Sequence, residues 1–241
     1  MRESLPLRRD RGFDVKGFIE TSFLDWPGYV SSVLFLGGCN LRCPYCHNHA
    51  LVTRPGELPS LDLDEILSRM IRFQGWIDGI TITGGEPTLH AGLSRLISEF
   101  KEKGFRVKLD TNGTKPDVLE KLIKARLVDA ISMDVKGPLD SAQYSRCVGI
   151  EMDVDVIERS LDLITGSNIE YELRTTVVPT LHGENEILNM AMRLKGCRGW
   201  RLQNFRAQDV LAPPLREVKP YSPERIEHFR TISRRWVAHV H

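Results

Sequence analysis

The sequence predicts an α/β fold built on a parallel sheet. Apolar, β-branched runs alternate with amphipathic helical segments through most of the 241 residues, which is typical of repeated βα units. About six units can be counted, more than a minimal doubly wound domain needs and fewer than the eight of a closed barrel. We therefore expect a partial, incompletely closed parallel (β/α)6-type barrel, with a flat doubly wound sheet as the alternative.

Short apolar runs bounded by glycine or polar residues predict the strands. The predicted strands are Val33–Gly37, Gly79–Thr83, Phe105–Asp110, Ala130–Val135, Ile169–Val178 and Trp200–Gln203. The predicted helices are Leu63–Phe73, Gly92–Lys103, Pro116–Ala125, Val154–Thr165, Glu184–Leu194 and Pro223–Val237. In the first of these helices, apolar residues recur every three or four positions, as on a helix with one buried face. Thr114 is expected to cap the helix that begins at Pro116.

The chain divides into three predicted parts: an N-terminal tail (1–16), a core domain (17–208), and a C-terminal connection and helix (209–241). The net charge of +1 gives no indication of a nucleic-acid or anionic-membrane partner. No apolar run approaches the roughly 20 residues that a membrane span requires, and the N-terminus does not resemble a signal peptide. We therefore expect a cytoplasmic protein.

Polar and glycine-rich segments follow the predicted strands. Cys39 follows the first strand, "GGEP" (84–87) the second and "LDTNG" (109–113) the third, while Asp134 and Lys136 close the fourth. Because the carboxyl ends of parallel strands meet at one edge of a sheet, these side chains are expected to lie close together. This arrangement is typical of an enzyme.

Three cysteines, Cys39, Cys43 and Cys46, lie within eight positions in the spacing C-x3-C-x2-C. A structural zinc site would need a fourth ligand, such as His47 or His49, and usually presents two separated ligand pairs. Clustered thiolates also suit a four-iron cluster, in which three ligands leave one iron open to a small molecule. The spacing favours the iron–sulfur interpretation.

The segment "CNLRCPYC" (39–46) resembles the signature of the radical S-adenosylmethionine (SAM) enzymes, including the aromatic Tyr45 before the last cysteine. The resemblance implies a partial barrel of the radical SAM kind. It also implies that Cys39, Cys43 and Cys46 are the catalytic cysteines and the metal ligands of a [4Fe-4S] cluster. In this family, the reduced cluster cleaves SAM to methionine and a 5′-deoxyadenosyl radical.

Other segments resemble the family's SAM-binding segments. Gly84, Gly85 and Glu86 match the part that holds the methionine amino group, although a tight strand–helix turn would also explain them. The resemblance implies that SAM is bound by Tyr45, Gly84, Gly85, Glu86, Asp110, Asn112, Asp134, Lys136 and Arg174. Asp110 and Asn112 could instead serve a turn, and Arg174 could be a salt-bridged strand residue. Asp110 and Asp134 are also candidates to hold a monovalent cation, as in some relatives.

The turn Asp25–Gly28 resembles that of glycyl-radical-enzyme activating proteins, and "TSFLDWPG" (21–28) looks closest to those of anaerobic ribonucleoside-triphosphate reductase. This resemblance, over roughly residues 17–205, implies a glycyl radical enzyme as partner. It also implies a low-potential electron donor such as flavodoxin or ferredoxin. The alternatives are a pyruvate formate-lyase-type activase, a radical SAM enzyme with a small-molecule or protein substrate, and a non-enzymatic zinc or iron–sulfur module.

The remaining polar and cysteine residues receive smaller roles. His47 and Asn48 are expected beside the cluster, and the family resemblance does not transfer an adenine contact to Gln203 or Phe205. The two distant cysteines, Cys147 and Cys197, are predicted to be structural.

Overall fold

A computed structural model describes residues 11–241, so the first ten residues of the predicted tail lie outside the described part. The strands are β1 (Val15–Ser22), β2 (Ser31–Leu36), β3 (Gly79–Gly84), β4 (Arg106–Thr111), β5 (Ala130–Asp134), β6 (Glu170–Val177), β7 (Gly199–Asn204) and β8 (His239–Val240). The helices are α1 (His49–Thr53), α2 (Leu63–Arg72), α3 (Leu93–Glu102), α4 (Pro116–Lys124), α5 (Ser141–Val148), α6 (Asp155–Thr165), α7 (Glu184–Arg193) and α8 (Pro223–Ser233).

One eight-stranded sheet contains the strands in their order along the chain, from β1 to β8. Strands β2 to β8 run parallel, and β1 pairs antiparallel with β2. Within residues 11–241, no pairing joins β1 to β8, so hydrogen bonds do not close the sheet. The partial-barrel prediction is confirmed. The flat doubly wound alternative is wrong, because strand order in such a sheet reverses at a switch point.

The core lies between the strands and the helices that cross over between them. Alternate strand residues such as Leu109, Ile131 and Leu173 belong to one buried cluster with helix residues such as Leu96 and Leu119. The opposite strand faces enclose the barrel interior, and they carry the polar residues of the site.

All six predicted strands are present, and their ends agree with the structure to within two residues. Two strands were missed: β1 is only half-buried along most of its length, and β8 has two residues. Helices α1 and α5 were also missed. The predicted Thr114 cap is wrong: Lys115 occupies the N-cap position without a side-chain cap bond, and the Thr114 hydroxyl donates to Asn112 Oδ1 at 2.7 Å.

Strand pairing crosses both predicted boundaries of the core domain. Val15 and Lys16, placed in the tail by sequence, belong to β1. The C-terminal segment contributes β8, which extends the sheet beside β7. None of the helices within residues 11–241 combines the length and apolar character needed to cross a membrane.

The β1–β2 turn packs against one end of the barrel. Trp26 in this turn is only 1% exposed, and the Arg106 guanidinium lies 5.5 Å from its ring and 4.3 Å from that of Tyr29. We call residues 23–30 the floor turn. Because β2 begins immediately after it, the floor turn lies at the amino ends of the parallel strands, opposite the end where the predicted site residues collect.

Candidate active site

The cysteine loop leaves β2 and is held by backbone contacts to neighbouring segments. Gly38 has a positive φ of 84°, and its amide donates to Leu51 O at 2.8 Å. The Arg42 amide donates to Val148 O, and its guanidinium donates to the carbonyls of Cys39 and Leu41 at 2.8 and 2.7 Å. These contacts fix the loop without a disulfide, and all five cysteines are free thiols.

Asn112 follows β4 directly and connects the cysteine loop to the end of that strand. Its side-chain amide donates to Asn40 Oδ1 at 3.0 Å and lies 3.8 Å from Cys39 Sγ. Its Oδ1 accepts from the Thr114 amide, so the turn role suggested by sequence is present as well. Asn112 therefore serves the turn and contacts a predicted ligand.

Gly84 and Gly85 allow two protein segments to approach each other closely. A Cβ on Gly85 would lie 1.8 Å from Gly38 O, and one on Gly84 would lie 2.3 Å from Leu36 O. Gly84 also has a φ of 125°, which side chains rarely adopt. Both glycines line the same cavity as the cysteines, so they meet a structural and a ligand-facing requirement together.

Glu86 is fully buried, and its carboxylate binds the chain itself. Oε1 accepts from the Thr88 amide, the Thr88 hydroxyl and the Thr111 hydroxyl, and Oε2 accepts from the Asn112 amide at 2.7 Å. Burial raises the pKa of Glu86, against the opposing effect of these donors. The side chain thus fastens the end of β3 to the end of β4.

A chain of ion pairs crosses the cavity opposite the cysteines. The Arg174 guanidinium bridges two strand ends, with Nη1 3.0 Å from Asp110 Oδ2 and Nε 3.0 Å from Asp134 Oδ1. Lys136 Nζ lies 2.8 Å from Asp134 Oδ2, and Lys108 Nζ lies 2.5 Å from Asp110 Oδ1. Burial opposes ionisation of Asp134, yet Arg174 and Lys136 hold its pKa well below the usual value.

Burial raises the pKa of all three thiols, that of Cys43 to about 12, and nearby Lys136 acts in the opposite direction. A buried thiolate needs positive charge beside it, and iron supplies that charge when it binds sulfur. The Leu41 amide lies 3.4 Å from Cys39 Sγ, where it can donate to a thiolate. The donor set therefore fits a metal–thiolate centre.

One cavity of about 470 Å³ brings the predicted site residues together. Its lining includes all twelve: Cys39, Cys43, Tyr45, Cys46, Gly84, Gly85, Glu86, Asp110, Asn112, Asp134, Lys136 and Arg174. A slightly larger cavity of about 520 Å³, lined in part by Trp26 and His241, contains no cysteine. We assign the chemistry to the first cavity because the thiols and the ion pairs face each other there.

The zinc alternative is not supported by the positions of the histidines. His47 Nε2 lies 3.0 Å from Arg206 O, and His49 Nε2 lies 3.0 Å from Asp209 Oδ1. Within residues 11–241, no three His, Cys, Asp or Glu side chains are grouped around a single metal-ion position. This arrangement is compatible with an iron–sulfur cluster, because its cysteines bind separate iron atoms and need not converge on one point.

The remaining predictions can be placed in the structure. Asn48 lines the cavity and donates to Gly84 O at 3.2 Å, tying the cysteine loop to β3. Of the two residues considered near adenine, Gln203 lines the cavity and Phe205 is buried elsewhere. The two distant cysteines, Cys147 and Cys197, lie in buried positions outside the lining.

Sequence reasoning missed Lys108, whose ammonium completes the ion-pair chain, and the presence of Asp25 in the cavity lining. A signal for Lys108 exists. It stands two positions before Asp110 in a strand of otherwise buried residues, so both side chains share the inner face. Asp25 had no such signal, because only the folded floor turn carries it into the barrel.

Comparison with known proteins agrees with this geometry. Residues 33–193, about two thirds of the chain, match the radical SAM superfamily. The chain belongs to the radical SAM superfamily. The prediction of a radical SAM enzyme is confirmed, and the family implies a [4Fe-4S] cluster and SAM as its cofactors.

Two relatives identify the branch of the superfamily to which the chain belongs. A glycyl-radical enzyme activating enzyme of Methanocaldococcus jannaschii is 34% identical over 231 residues, covering 94% of both chains. The pyruvate formate-lyase-activating enzyme of Clostridium pasteurianum is 29% identical over 181 residues, 73% of each chain. The chain therefore belongs to the glycyl-radical enzyme activating branch of the superfamily.

Solved structures support the fold alone. Streptococcus suis SuiB bound to SAM aligns with a TM-score of 0.62 at 16% identity, over 84% of this chain and 48% of that one. Coproporphyrinogen III oxidase of Escherichia coli aligns with a TM-score of 0.58 at 18% identity, over 88% of this chain and 53% of that one. The chain thus spans about half the length of these solved proteins.

Proposed function

We propose that this enzyme binds a [4Fe-4S] cluster through Cys39, Cys43 and Cys46, binds SAM in the adjoining cavity, and forms a glycyl radical on a partner enzyme. One observation carries the proposal: three free thiols and the ion-paired side chains of Asp110, Asp134, Lys136 and Arg174 line the same cavity of a partial barrel. When bound, the cluster and SAM supply a one-electron cleavage that gives methionine and a carbon radical able to remove a glycine hydrogen.

The chain's own residues bind and orient SAM in this proposal. Lys136 and Arg174 present cationic groups to the cavity, which suits the carboxylate of the methionine part. The backbone of Gly84 and Gly85 provides an approach for the amino group. Glu86 supports this segment indirectly, because its hydrogen bonds join the end of β3 to the end of β4.

The unpaired barrel edges suit a protein substrate. Within residues 11–241, β1 and β8 do not pair, so hydrogen bonds do not close the sheet between them. A loop that carries the target glycine could enter there, whereas a closed barrel would exclude it. The walls of the cavity would then shield the radical from water.

The test begins with anaerobic reconstitution by iron and sulfide, followed by addition of dithionite and SAM. We expect 5′-deoxyadenosine and methionine as products. The matched control is Cys197→Ala, which changes a buried cysteine outside the cavity and should retain the activity. Absence of 5′-deoxyadenosine from a protein that holds its iron would refute the proposal.

Two enzymes are candidates for the partner that receives the glycyl radical. Anaerobic ribonucleoside-triphosphate reductase is our first choice because of the sequence around the floor turn, 21–28. Pyruvate formate-lyase is the second, because named relatives include its activating enzymes. Each candidate enzyme, taken from the same organism, is incubated with the loaded protein. A glycyl radical signal in electron paramagnetic resonance from one of them assigns the partner.

The electron donor is expected to be a low-potential protein such as flavodoxin or ferredoxin. Replacing dithionite with either reduced protein tests this expectation in the same assay. If 5′-deoxyadenosine forms with dithionite but with neither protein, only the assignment of the electron donor is wrong.

A further inference from the structure

Lys108 is a buried cation within the barrel, and it touches the SAM site through a carboxylate. Lys108 lies on β4 and is only 3% exposed. Its side chain points to the same face of the sheet as that of Asp110. Its ammonium lies 2.5 Å from Asp110 Oδ1 and 2.9 Å from the backbone oxygen of Asp25. A lysine is almost never fully buried unless its charge is paired, and here Asp110 provides the paired charge.

The pairs leave no carboxylate oxygen of Asp110 or Asp134 without a cation of the chain. Lys108 and Arg174 take the two oxygens of Asp110, while Arg174 and Lys136 take the two of Asp134. Three cations and two carboxylates make up this network, so 3 − 2 = +1 is its formal charge. A metal cation added here would meet net positive charge.

The other acidic groups of the cavity do not change this balance at Asp110. The Glu86 carboxylate receives its hydrogen bonds from hydroxyl and amide groups of Thr88, Thr111 and Asn112. The Asp25 carboxylate accepts from the Ser22 hydroxyl, and Asp25 offers only its backbone oxygen to Lys108. Lys108 therefore stands against Asp110 as the nearest neutralising charge on that side.

We propose that Lys108, together with Arg174, supplies the positive charge that a monovalent metal ion would supply between Asp110 and Asp134. The enzyme would then hold these carboxylates, and through them the SAM-binding cations, without K⁺ or Na⁺. Lys108 acts as a positioning residue, since it reaches the site through Asp110. This inference rests on the proposed function only for its consequence on SAM binding, and it replaces the monovalent cation expected from the sequence.

The first experiment uses the wild-type protein without added cluster or SAM. Its Tm is measured in KCl, NaCl and choline chloride at equal ionic strength. We expect the same Tm in all three salts, because no specific cation site is open. A Tm that rises in K⁺ or Na⁺ relative to choline, confirmed by a saturable thallium NMR signal, would overturn the inference.

The second experiment compares Lys108→Met with a matched control, Lys101→Met. Lys101 pairs with Asp129 at 2.8 Å in a partly exposed position outside the cavity. In choline chloride we expect Lys108→Met to melt about 6 to 15 °C below wild type, since it leaves the buried Oδ1 of Asp110 without its cation. K⁺ or Na⁺ should restore part of this loss in Lys108→Met and none in Lys101→Met.

A Lys108→Met protein that shows no cation-specific recovery would mean that Lys108 does not stand in a cation's place. If that variant does not fold in any salt, Lys108→Arg decides the question, because it keeps the charge. It should fold and melt at the same temperature in all three salts, and a cation-specific shift in its Tm would contradict the inference.

SAM binding gives a readout that separates this inference from the proposed function. In the cluster-loaded wild type, the Kd for SAM measured by equilibrium dialysis should agree within about twofold between KCl and choline chloride. A cation-dependent Kd would defeat the inference while 5′-deoxyadenosine still forms. A protein that forms no 5′-deoxyadenosine but melts identically in every salt would defeat only the proposed function.

Discussion

At the scale of single residues, Gly85 illustrates how a motif can serve packing and chemistry together. Its missing side chain makes room for the carbonyl of Gly38, immediately before the first cysteine of the loop. Any Cβ at this position must therefore displace the backbone that leads into Cys39. The requirement for glycine exists before any ligand is considered.

Replacing Gly85 with alanine is therefore expected to destabilise the protein by about 1 to 3 kcal/mol, because the added methyl group overlaps backbone atoms. Urea unfolding measures this loss. Gly56→Ala is the control, since a Cβ there meets no atom within 4 Å, and it should change stability by less than about 0.5 kcal/mol. Equal stability of the two variants would contradict the packing argument.

Cys43 is the most buried of the three loop cysteines and belongs to the buried core cluster. We expect Cys43→Ala to fold, with an unchanged far-ultraviolet circular dichroism spectrum, and to lose iron and SAM cleavage after reconstitution. The reason is that three thiolates are the smallest set that holds the cluster while leaving one iron open. Iron and sulfide content are the measurements, and Cys147→Ala should match wild type.

At the scale of elements, the loops after β5 and β6 are joined by a buried histidine. His182 Nδ1 accepts from the Val178 amide at 3.0 Å, so Nε2 carries the proton and donates to Lys136 O at 2.9 Å. Burial lowers the pKa of His182. The neutral ring thus fixes the backbone of a residue proposed to bind SAM.

This arrangement predicts that stability falls under acidic conditions. Because the folded pKa lies below the ordinary value of about 6.5, the contribution of neutral His182 is present above that pH and is lost as the pH falls below it. The loss approaches about 1.4 kcal/mol per pH unit within the window between the two pKa values. Urea unfolding at about pH 7.5 and about pH 5.5 measures it.

His182→Gln is the comparison variant, since it removes the titrating group. His90, whose pKa is also lowered by burial, contributes equally to both proteins and cancels in the difference. We expect a smaller acid-induced loss in His182→Gln than in wild type. The same loss in both proteins would show that His182 does not couple to folding.

The elements that sequence predicted well are those with a strong local pattern. Strands β2 to β7 are short apolar runs with clear boundaries, and helix α2 has one apolar face. Strand β1 has an irregular burial pattern because it is an antiparallel edge strand, and β8 is too short to show any period. These two strands depend on their neighbours for their conformation.

At the scale of the whole molecule, the floor turn decides where the barrel ends. Trp26 is buried at the amino-terminal end of the barrel, while Trp76, on the loop before β3, is 82% exposed. The two tryptophans can therefore be compared to test how much the buried Trp26 side chain stabilises the barrel.

We expect Trp26→Ala to lower the free energy of unfolding by about 3 to 5 kcal/mol, because it leaves a large cavity in the barrel floor. Trp76→Ala should change it by less than about 0.5 kcal/mol, since its side chain contacts solvent. Urea unfolding of both variants provides the measurement. Comparable losses in the two variants would mean that the floor turn does not plug the barrel.

The alternating βα plan, the cysteine loop and the strand ends that carry the site can all be read from the amino-acid sequence. These features depend on short-range periodicity and on neighbours along the chain, which a sequence displays directly. Three features depend on the folded chain: Asp25 enters the cavity, Glu86 binds its own chain, and Lys108 pairs with Asp110. Such pairs join residues whose distance depends on strand register and barrel curvature, which no local pattern specifies.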